Sequence, residues 1–329
     1  VTKLAIDTMN LNQLLLTITG TLIQCLFITI LGMTLANFLR STGYAKQAGF
    51  GVSMGGIINI FLDPLFMFVL LPSGYEVLGA GIATMLSNLI ICVYFLIVIC
   101  RLKNSILSLA VKNFRASVQN IKSIFYVGVP AAIAVTLFDV TYIIIDKLMS
   151  LYGDIPLAAV GIVLKAERLP LNVGIGLCMG MMPLAAYNYS SGNFKRMREA
   201  VNFSRLVGLV IGFVSVALYE IFAADIMKIF IEDSQTVELG TQFLRARTLA
   251  TPFMFICFHL VNFFQAVGMG GRALALGAAR WVIFNIPLLF VLNYFFGMYG
   301  IVWTQVLADV LMTLVSIIVY ERFIAQYKI

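Results

Sequence analysis

Long apolar runs alternate with short polar connections along the whole chain. Runs of about 20 apolar residues, each ended by charge or by Gly and Pro, are typical of helices that cross a membrane. Since none of the runs alternates with the period of two that marks a membrane barrel, all of them are predicted to be helical. The nine predicted spans are residues 14–39, 48–71, 79–100, 122–147, 156–187, 204–224, 246–266, 273–295 and 299–320.

Composition supports this interpretation. Hydrophobic residues make up 61% of the chain, charged residues only 11%, and the mean hydropathy is +0.99. A soluble globule needs charge of both signs along its whole surface, and long stretches of this chain have none. The predicted fold class is therefore an all-α integral membrane protein.

Two distant stretches of the chain have similar sequences. LANFLRSTGYAKQA aligns with LVNFFQAVGMGGRA at one constant offset, and two further pairs follow in the same order. The aligned pairs are residues 35–48 with 260–273, 57–65 with 283–291, and 79–88 with 300–309. Such internal duplication is common in secondary transporters.

The duplication also predicts the domain organisation. An even number of helices in each repeat returns the chain to the same side of the membrane, so the two lobes should be parallel repeats of six helices each. Residues 1–100 are then helices 4–6 of the first lobe, and residues 122–329 are helices 7–12. By the same arithmetic about a hundred residues, with three helices, should precede Val1. Residues 101–121 are predicted to link the lobes, either as an amphipathic helix on the cytoplasmic face or as a plain solvated linker.

Charge predicts the orientation of the helices. Alternate connections hold 15 of the 22 basic residues, Arg272 and Arg280 among them, and the intervening connections are mainly acidic. The positive-inside rule therefore places the basic connections and the C-terminus in the cytoplasm. The net charge of +7 follows from this topology and from contact with anionic lipid, so no nucleic-acid partner is expected.

One carboxylate lies inside a predicted span. Asp139, in FDVTYIII, is about 10 Å below the outer end of its helix. A carboxylate at that depth should face a cavity or a partner, and it is suited to exchange a proton or to hold Na⁺. The alternative is a structural carboxylate paired with a neighbouring base.

The next predicted helix carries charge near the membrane midplane. Lys165 and Arg168 share a face, whereas Glu167 points elsewhere. Because snorkelling from that depth is difficult, these side chains should line the protein interior. Pro and Gly make the same helix bendable, although Gly176 and Gly180 could instead serve only close helix packing. The candidates on this helix are Lys165, Glu167, Arg168 and Asn172 for a substrate cavity, and Pro170, Gly174 and Gly176 for a hinge.

A later predicted helix supplies weaker candidates for the substrate cavity. His259, Asn262 and Gln265 lie in it, and each is also interpretable as a packing residue that hydrogen-bonds between helices. Arg245 and Arg247, near its start, are interpreted as interfacial anchors. The five cysteines lie in or at the ends of apolar spans without a CxxC motif, so free thiols and no bound metal are expected.

Several motifs, in order, resemble the multidrug and toxic compound extrusion (MATE) family. They are PLAAYNYSSG with its following KRMR, the paired segments RSTG and NIFLDPLF, the GAGIAT start of a helix, and FFQAVG. The resemblance covers residues 11–323 and favours the bacterial branches. A tenth-helix carboxylate of some sodium-coupled members has no counterpart in residues 248–266, and a first-helix aspartate of others would precede this chain.

The resemblance implies an antiporter of the bacterial plasma membrane. Such proteins export lipophilic, often cationic compounds in exchange for H⁺ or Na⁺ by alternating access of two lobes. Asp139 matches the family's seventh-helix acidic position, and no organic cofactor is implied. We expect a monomer whose partners are small organic molecules and membrane lipid. The alternative is a flippase for lipid-linked oligosaccharide precursors, towards which Lys165 and Arg168 point. The chain has no GxSG near a usable histidine, no pair of aspartate-rich DDxxD-like motifs and no HExxH, which disfavours an enzyme.

Overall fold

The computed structural model describes residues 11–72, 75–102 and 117–327, with side chains from residue 26 onward. The described chain is helical throughout. Ten α-helices follow one another: α1 (Leu11–Ser41), α2 (Ala45–Pro64), α3 (Glu76–Arg101), α4 (Val118–Met149), α5 (Asp154–Ser190), α6 (Phe194–Phe230), α7 (Ser234–Thr248), α8 (Thr251–Ala266), α9 (Gly270–Ala278) and α10 (Ile286–Ala325). Two π-helical segments, Leu65–Leu70 and Ala279–Asn285, continue α2 and join α9 to α10. The all-α membrane class is thus confirmed.

Each of the nine predicted spans coincides with a helical stretch of the described chain. By length and composition, six stretches can cross a membrane, and α7 with α8, bent by 47°, forms a seventh. One of the six, Gly270–Ala325, is 56 residues long but reverses direction at Gly297, whose φ of 59° and ψ of −141° are not helical. Beyond this turn, Gly300 lies against the backbone of Leu292. The stretch is therefore a helical hairpin with two arms, as the predicted spans 273–295 and 299–320 require.

The chain forms two compact units, Val1–Arg115 and Ala116–Ile329. The predicted linker, residues 101–121, lies largely outside the described residues, so the predicted lobe boundaries stay a prediction. In the first unit α3 packs against α1 and α2. Glycine allows close approach there, since a Cβ at Gly55 would overlap the Ile91 side chain. The Asn88 amide donates to Thr29 Oγ1 at 2.8 Å, which ties α3 to α1.

The second unit is built around α8, which packs against α5, α6, α9 and α10. One apolar cluster, with Met149, Val163 and Phe243, fills the end of the unit where α4 finishes and α5 begins. A second cluster, with Met197 and Phe263, fills the end where α6 begins and α10 finishes. We call this second end the basic end, because Lys195, Arg196 and Arg198 lie there.

A helix cap lies at the opposite end of the unit. Asp233 precedes α7, and its carboxylate accepts hydrogen bonds from the Thr236 hydroxyl at 2.6 Å and the Thr236 backbone N–H at 2.8 Å. These two bonds hold the pKa of Asp233 below its ordinary value, because they favour the charged form. The cap fixes where the chain turns from α6 into α7.

The internal duplication extends to the backbone. Gly43 and Gly268, which align in the sequence, both adopt positive φ, at 92° and 78°. Both turns carry the same hydrogen bond across six residues, from Tyr44 N to Leu39 O and from Met269 N to Phe264 O, each 2.8 Å long. The following aligned pair also agrees, since Gly79 lies against a backbone carbonyl much as Gly300 does. The two sequence repeats therefore fold alike.

Candidate functional site

Asp139 lies on the exposed side of α4. The preceding residue, Phe138, packs edge-on against Trp281 with 5.2 Å between ring centroids, so the chain around the carboxylate is held in place. Asp139 takes part in none of the ion pairs of the described chain. No ion pair of the described chain therefore supports the alternative that Asp139 is a structural carboxylate paired with a neighbouring base. An exposed carboxylate at membrane depth needs water or a polar partner around it.

A polar stripe runs along the exposed face of α5. Lys165, Arg168, Asn172 and Gly176 recur every three or four residues, and all four are exposed. The structure thus places Lys165 and Arg168 on one face, as predicted. A lipid-facing position at this depth would be costly for either cation, so the stripe suits a surface that contacts water or polar ligands.

The proposed hinge residues lie on different sides of the same helix. Pro170 and Gly174 are buried, and the helix is continuous from Asp154 to Ser190. A Cβ at Gly174 would overlap the ring of Phe255 on α8, whereas a Cβ at Gly176 or Gly180 would meet nothing within 4 Å. Close packing is therefore the role of Gly174 and not of Gly176 or Gly180. Whether α5 bends at these positions stays a prediction.

We expect Gly174→Val to destabilise the second unit by about 1–3 kcal/mol, because the added side chain would force Phe255 out of its place. Phe255 cannot retreat easily, since Gly208 and Gly212 of α6 also pack against it. Gly176→Val is the matched control on the same helix, and it should leave stability nearly unchanged. Thermal unfolding of the purified variants in detergent measures both. Equal losses for the two variants would contradict the packing role.

Glu167 points away from the polar stripe, as predicted, and binds Arg247. The guanidinium of Arg247 donates from Nε at 2.7 Å and from Nη2 at 3.0 Å to the two carboxylate oxygens. The Arg247 side chain is 1% exposed and that of Glu167 is 14% exposed. The interpretation of Arg247 as an interfacial anchor is therefore wrong, because its charge is buried in a two-pronged ion pair between α5 and α7.

A second buried ion pair joins the two arms of the helical hairpin. Arg280 Nε donates to Asp309 Oδ1 at 2.7 Å, and the two side chains are 4% and 0% exposed. The guanidinium carbon of Arg280 lies 4.6 Å from the ring centroid of Phe258 and 4.5 Å from that of Trp281. The assignment of Arg280 to a cytoplasmic connection is therefore wrong, since the residue lies in the π-helical segment inside the unit.

Two amides extend this second pair. Gln305 Nε2 donates to Asp309 Oδ2 at 2.8 Å, and Asn285 Nδ2 donates to Gln305 Oε1 at 3.1 Å. These bonds satisfy both oxygens of the buried carboxylate, which is the condition for keeping its charge inside a membrane protein. The Asn285–Gln305 bond also helps to fix the register of the hairpin, because it links the first arm to the second.

The two ion pairs influence each other. Arg247 is within electrostatic range of Asp309, and Tyr142 is within range of both arginines and of Glu167. Tyr142 belongs to α4, one helical turn after Asp139. The charged interior of the second unit thus reaches the helix that carries the exposed carboxylate.

The three candidates on α8 lie in different surroundings. His259 is buried, and neither ring nitrogen has a hydrogen-bond partner in the described chain. Asn262 is half-buried and donates to the Phe258 carbonyl of its own helix at 2.8 Å. Gln265 is half-buried in the last turn of α8. The structure does not bring these residues together with Asp139 or the α5 stripe in any described contact.

Sequence reasoning missed the ion pairs around Arg247 and Arg280. One available signal was the duplication, which aligns Asp309 with Asn88 and thereby marks a polar position on a helix that is otherwise apolar for many residues. The partner of Glu167 had no such signal, because Arg247 lies 80 residues away. No group of three or more His, Cys, Asp or Glu in the described residues could hold a metal ion.

A cleft of about 500 Å³ lies where α6 meets α7, away from these candidates. Its lining includes Lys228, Glu232, Glu238 and Arg245, at the end of the unit opposite to the basic end. None of the predicted site residues lines it.

Comparison with known proteins gives consistent results. The model of a family described as MatE matches residues 130–291. A multidrug export protein, MepA of Staphylococcus haemolyticus (strain JCSC1435), is 32% identical over 280 residues, which cover 85% of this chain and 61% of that protein. MepA of Staphylococcus saprophyticus is 29% identical over 292 residues, covering 88% of this chain and 63% of that protein. This chain thus spans about three fifths of the length of these relatives.

Solved structures show the same fold. A crystal structure of MATE in complex with MaL6 has a TM-score of 0.89 at 18% identity, covering 99% of this chain and 74% of that one. The outward-facing conformation of a multidrug resistance MATE family transporter of the MOP superfamily has a TM-score of 0.82 at 19% identity. That match covers 88% of this chain and 65% of the other.

Proposed function

Because this chain belongs to the MATE family, a family of transporters, we propose that it acts in a secondary active antiporter that exports lipophilic, often cationic compounds. The exported compound is exchanged for H⁺ or Na⁺ by alternating access of two lobes. The protein lies in a bacterial plasma membrane as a monomer, with its C-terminus in the cytoplasm. The relatives named multidrug export protein support the substrate class.

The observation that carries the coupling proposal is Asp139. It is a carboxylate at membrane depth, exposed on its unit, and outside every described ion pair. A group of this kind can bind H⁺ or Na⁺ without first breaking a salt bridge, unlike Glu167 or Asp309. We assign the coupling cation to Asp139. Contacts with neutral or anionic parts of a substrate are assigned to the α5 stripe of Lys165, Arg168 and Asn172, since the lysine and the arginine would repel a cationic group.

The exchange then follows from linkage. A cation and a drug that prefer different charge states of one cavity lower each other's affinity, and this effect is reciprocal. Binding of H⁺ or Na⁺ at Asp139 from outside would release the drug. Release of the cation inside would restore the negative charge and allow another cationic compound to bind.

Flipping of lipid-linked oligosaccharide precursors is the second candidate function. The exposed cations Lys165 and Arg168 favour it, because a pyrophosphate group needs positive charge. The names of the relatives favour drug export instead, and we rank export first.

Efflux of a fluorescent organic cation from cells that express the complete gene tests the proposal. We expect efflux above that of cells without the gene, and we expect it to fall to their level when one of the two gradients, proton or sodium, is collapsed. The sensitive gradient identifies the ion. Efflux that persists when either gradient is collapsed would contradict antiport. The absence of efflux for every compound tested would favour the flippase.

A further inference from the structure

Four buried polar side chains near the basic end lack hydrogen-bond partners. In the described chain these are Ser204 Oγ, both ring nitrogens of His259, Tyr320 Oη and Ser316 Oγ, the last of which approaches the Cys257 thiol without forming a hydrogen bond of good geometry. The four residues are 6%, 3%, 0% and 0% exposed. They come from three different helices, α6, α8 and α10, of which α8 packs against both of the others. Buried polar groups without partners are rare in folded proteins, so their location relative to each other matters.

The packing of α6 on α8 sets the first part of this arrangement. Gly212 lies against Pro252, and Gly208 lies against Phe255, so the two helices run antiparallel in a defined register. One turn further along each helix, the same register brings Ser204 opposite His259. The next residue of α6, Arg205, is within electrostatic range of His259, which agrees with this register.

The packing of α10 on α8 sets the second part. Thr313 Oγ1 donates to the Phe253 carbonyl at 3.1 Å, and the Phe263 ring lies 5.2 Å from that of Tyr320. These two contacts show that α8 and α10 run in the same direction. Between them, the register places His259 near the level of Ser316 and about one helical turn before Tyr320.

The position of Arg205 supports the convergence of these side chains. Its guanidinium carbon lies 5.6 Å from the centroid of the Tyr320 ring, and it is also within range of His259. One cation from α6 thus borders two of the four unpartnered side chains, on α8 and α10. These contacts bring the three helices together within about one helical turn, so the unpartnered groups form a single cluster.

The cluster continues towards the buried ion pair along one face of α10. Asp309, Thr313, Ser316 and Tyr320 recur at spacings of four, three and four residues, and all are buried. This polar face is about 16 Å long at 1.5 Å per residue. The Cys257 thiol on α8 lies beside the part of this face nearest to Asp309. Its Sγ is 3.4 Å from Thr313 Oγ1 and 3.7 Å from the Asp309 carbonyl oxygen. A row of buried polar side chains at helical spacing therefore runs from Asp309 towards the basic end.

We propose that Ser204, His259, Ser316 and Tyr320 enclose ordered water molecules, which give the Arg280–Asp309 ion pair a hydrated connection to the basic end. Water is the ligand that this chemistry fits, because the cluster offers both donors and acceptors but no set of carboxylates for a metal cation. Buried waters commonly make about three hydrogen bonds to otherwise unsatisfied groups. The four side chains, within about one helical turn of each other, can supply these hydrogen bonds. An apolar interior would not keep five polar atoms without partners.

X-ray radiolysis of the complete protein in lipid nanodiscs tests this proposal. Hydroxyl radicals generated from water oxidise side chains next to that water, and mass spectrometry measures the rate at each residue. We expect His259 and Tyr320 to be oxidised on the order of tenfold faster than the equally buried Phe243 and Phe264, since the phenylalanines have no polar partner to hold water. Oxidation of all four residues at the same slow rate would show that the cluster is dry and would overturn the proposal.

Two variants sharpen the test. His259→Phe removes the central polar ring and should lower the oxidation rate of Tyr320 several-fold, with Phe243 unchanged as a check on folding. Ser316→Ala is the milder variant, should the first one fold poorly, and it should lower the oxidation rate of His259. Unchanged rates at Tyr320 and His259 in the two variants would show that their radicals come from elsewhere and would overturn the proposal. Neither measurement depends on transport, so each is independent of the proposed antiport.

Discussion

Asp309→Asn should destabilise the second unit strongly, by about 3–5 kcal/mol, because it leaves the buried guanidinium of Arg280 without a counter-charge. The substitution preserves the shape of the side chain, so lost packing contributes little. Asp309 is 0% exposed and Arg280 4% exposed, so bulk water cannot compensate for the missing charge. We expect the melting temperature of the purified protein to fall on the order of 10 °C, if the 2–4 °C per kcal/mol typical of units of this size applies.

The double variant Arg280→Met with Asp309→Leu isolates the electrostatic cause. Replacing both partners by apolar residues removes the unpaired charge, and buried pairs replaced in this way often lose no stability. We expect the double variant to recover most of the loss, with a remainder because Gln305 Nε2 loses its acceptor. The control is Glu321→Gln, which removes a surface pair with Arg198 at 3.7 Å and should change stability by less than about 1 kcal/mol. A double variant as unstable as Asp309→Asn would contradict the electrostatic explanation.

The spans were predictable from the sequence because each is an apolar run of about the length that a membrane requires. The turn at Gly297 lies within the predicted gap between residues 295 and 299, where Gly297 interrupts two apolar segments. The π-helical segments had no such signal. They are Leu65–Leu70 and Ala279–Asn285, and apolar periodicity does not distinguish π-helical from α-helical hydrogen bonding.

The error at Arg280 has a specific physical cause. The positive-inside rule counts arginine near a helix end as a loop residue, and residues 272 and 280 lie close to the start of a predicted span. The rule fails for an arginine whose partner is a carboxylate on another helix. Asp309 is 29 residues further on, and its contact depends on the hairpin turn. A single sequence can show that both charges exist but not that they meet.

The duplication explains why this ion pair belongs to the second unit. In the first unit the position aligned with Asp309 is Asn88, which donates its amide to Thr29. A neutral amide needs no counter-charge, and neither Met54 nor Gly55, the two positions to which the flanking aligned segments bring Arg280, is charged. The two repeats thus share their turns and their close glycine contacts, while the second carries buried charge in addition. Both repeats therefore retain the apolar pattern, and they differ in the ion pair that is buried in the second.

Asp139→Asn should abolish ion-coupled efflux while leaving the fold intact. Asparagine cannot take up a proton at pH 7 or supply a negative charge to Na⁺, so the variant loses the coupled cation. One charge that crosses 100 mV contributes about 2.3 kcal/mol, or a concentration ratio of roughly fifty-fold, and this is the driving force that we expect to disappear. Efflux of a fluorescent organic cation, measured with the proton and sodium gradients imposed in turn, gives the result. The melting temperature should stay within about 2 °C of wild type, since Asp139 is exposed and in no described ion pair.

Asp146→Asn is the matched control for this experiment. Asp146 lies on the same helix, two turns after Asp139, and is also exposed. It is closer to the end of the span, where water already solvates a carboxylate, so its removal should leave gradient-dependent efflux near the wild-type level. Asp139→Glu should retain part of the coupling, because the carboxylate persists on a longer side chain. Full gradient-dependent efflux in Asp139→Asn would instead assign the coupling cation to a carboxylate outside the described residues. Equal losses of gradient-dependent efflux in the Asp139 and Asp146 variants would indicate a general effect of charge on α4.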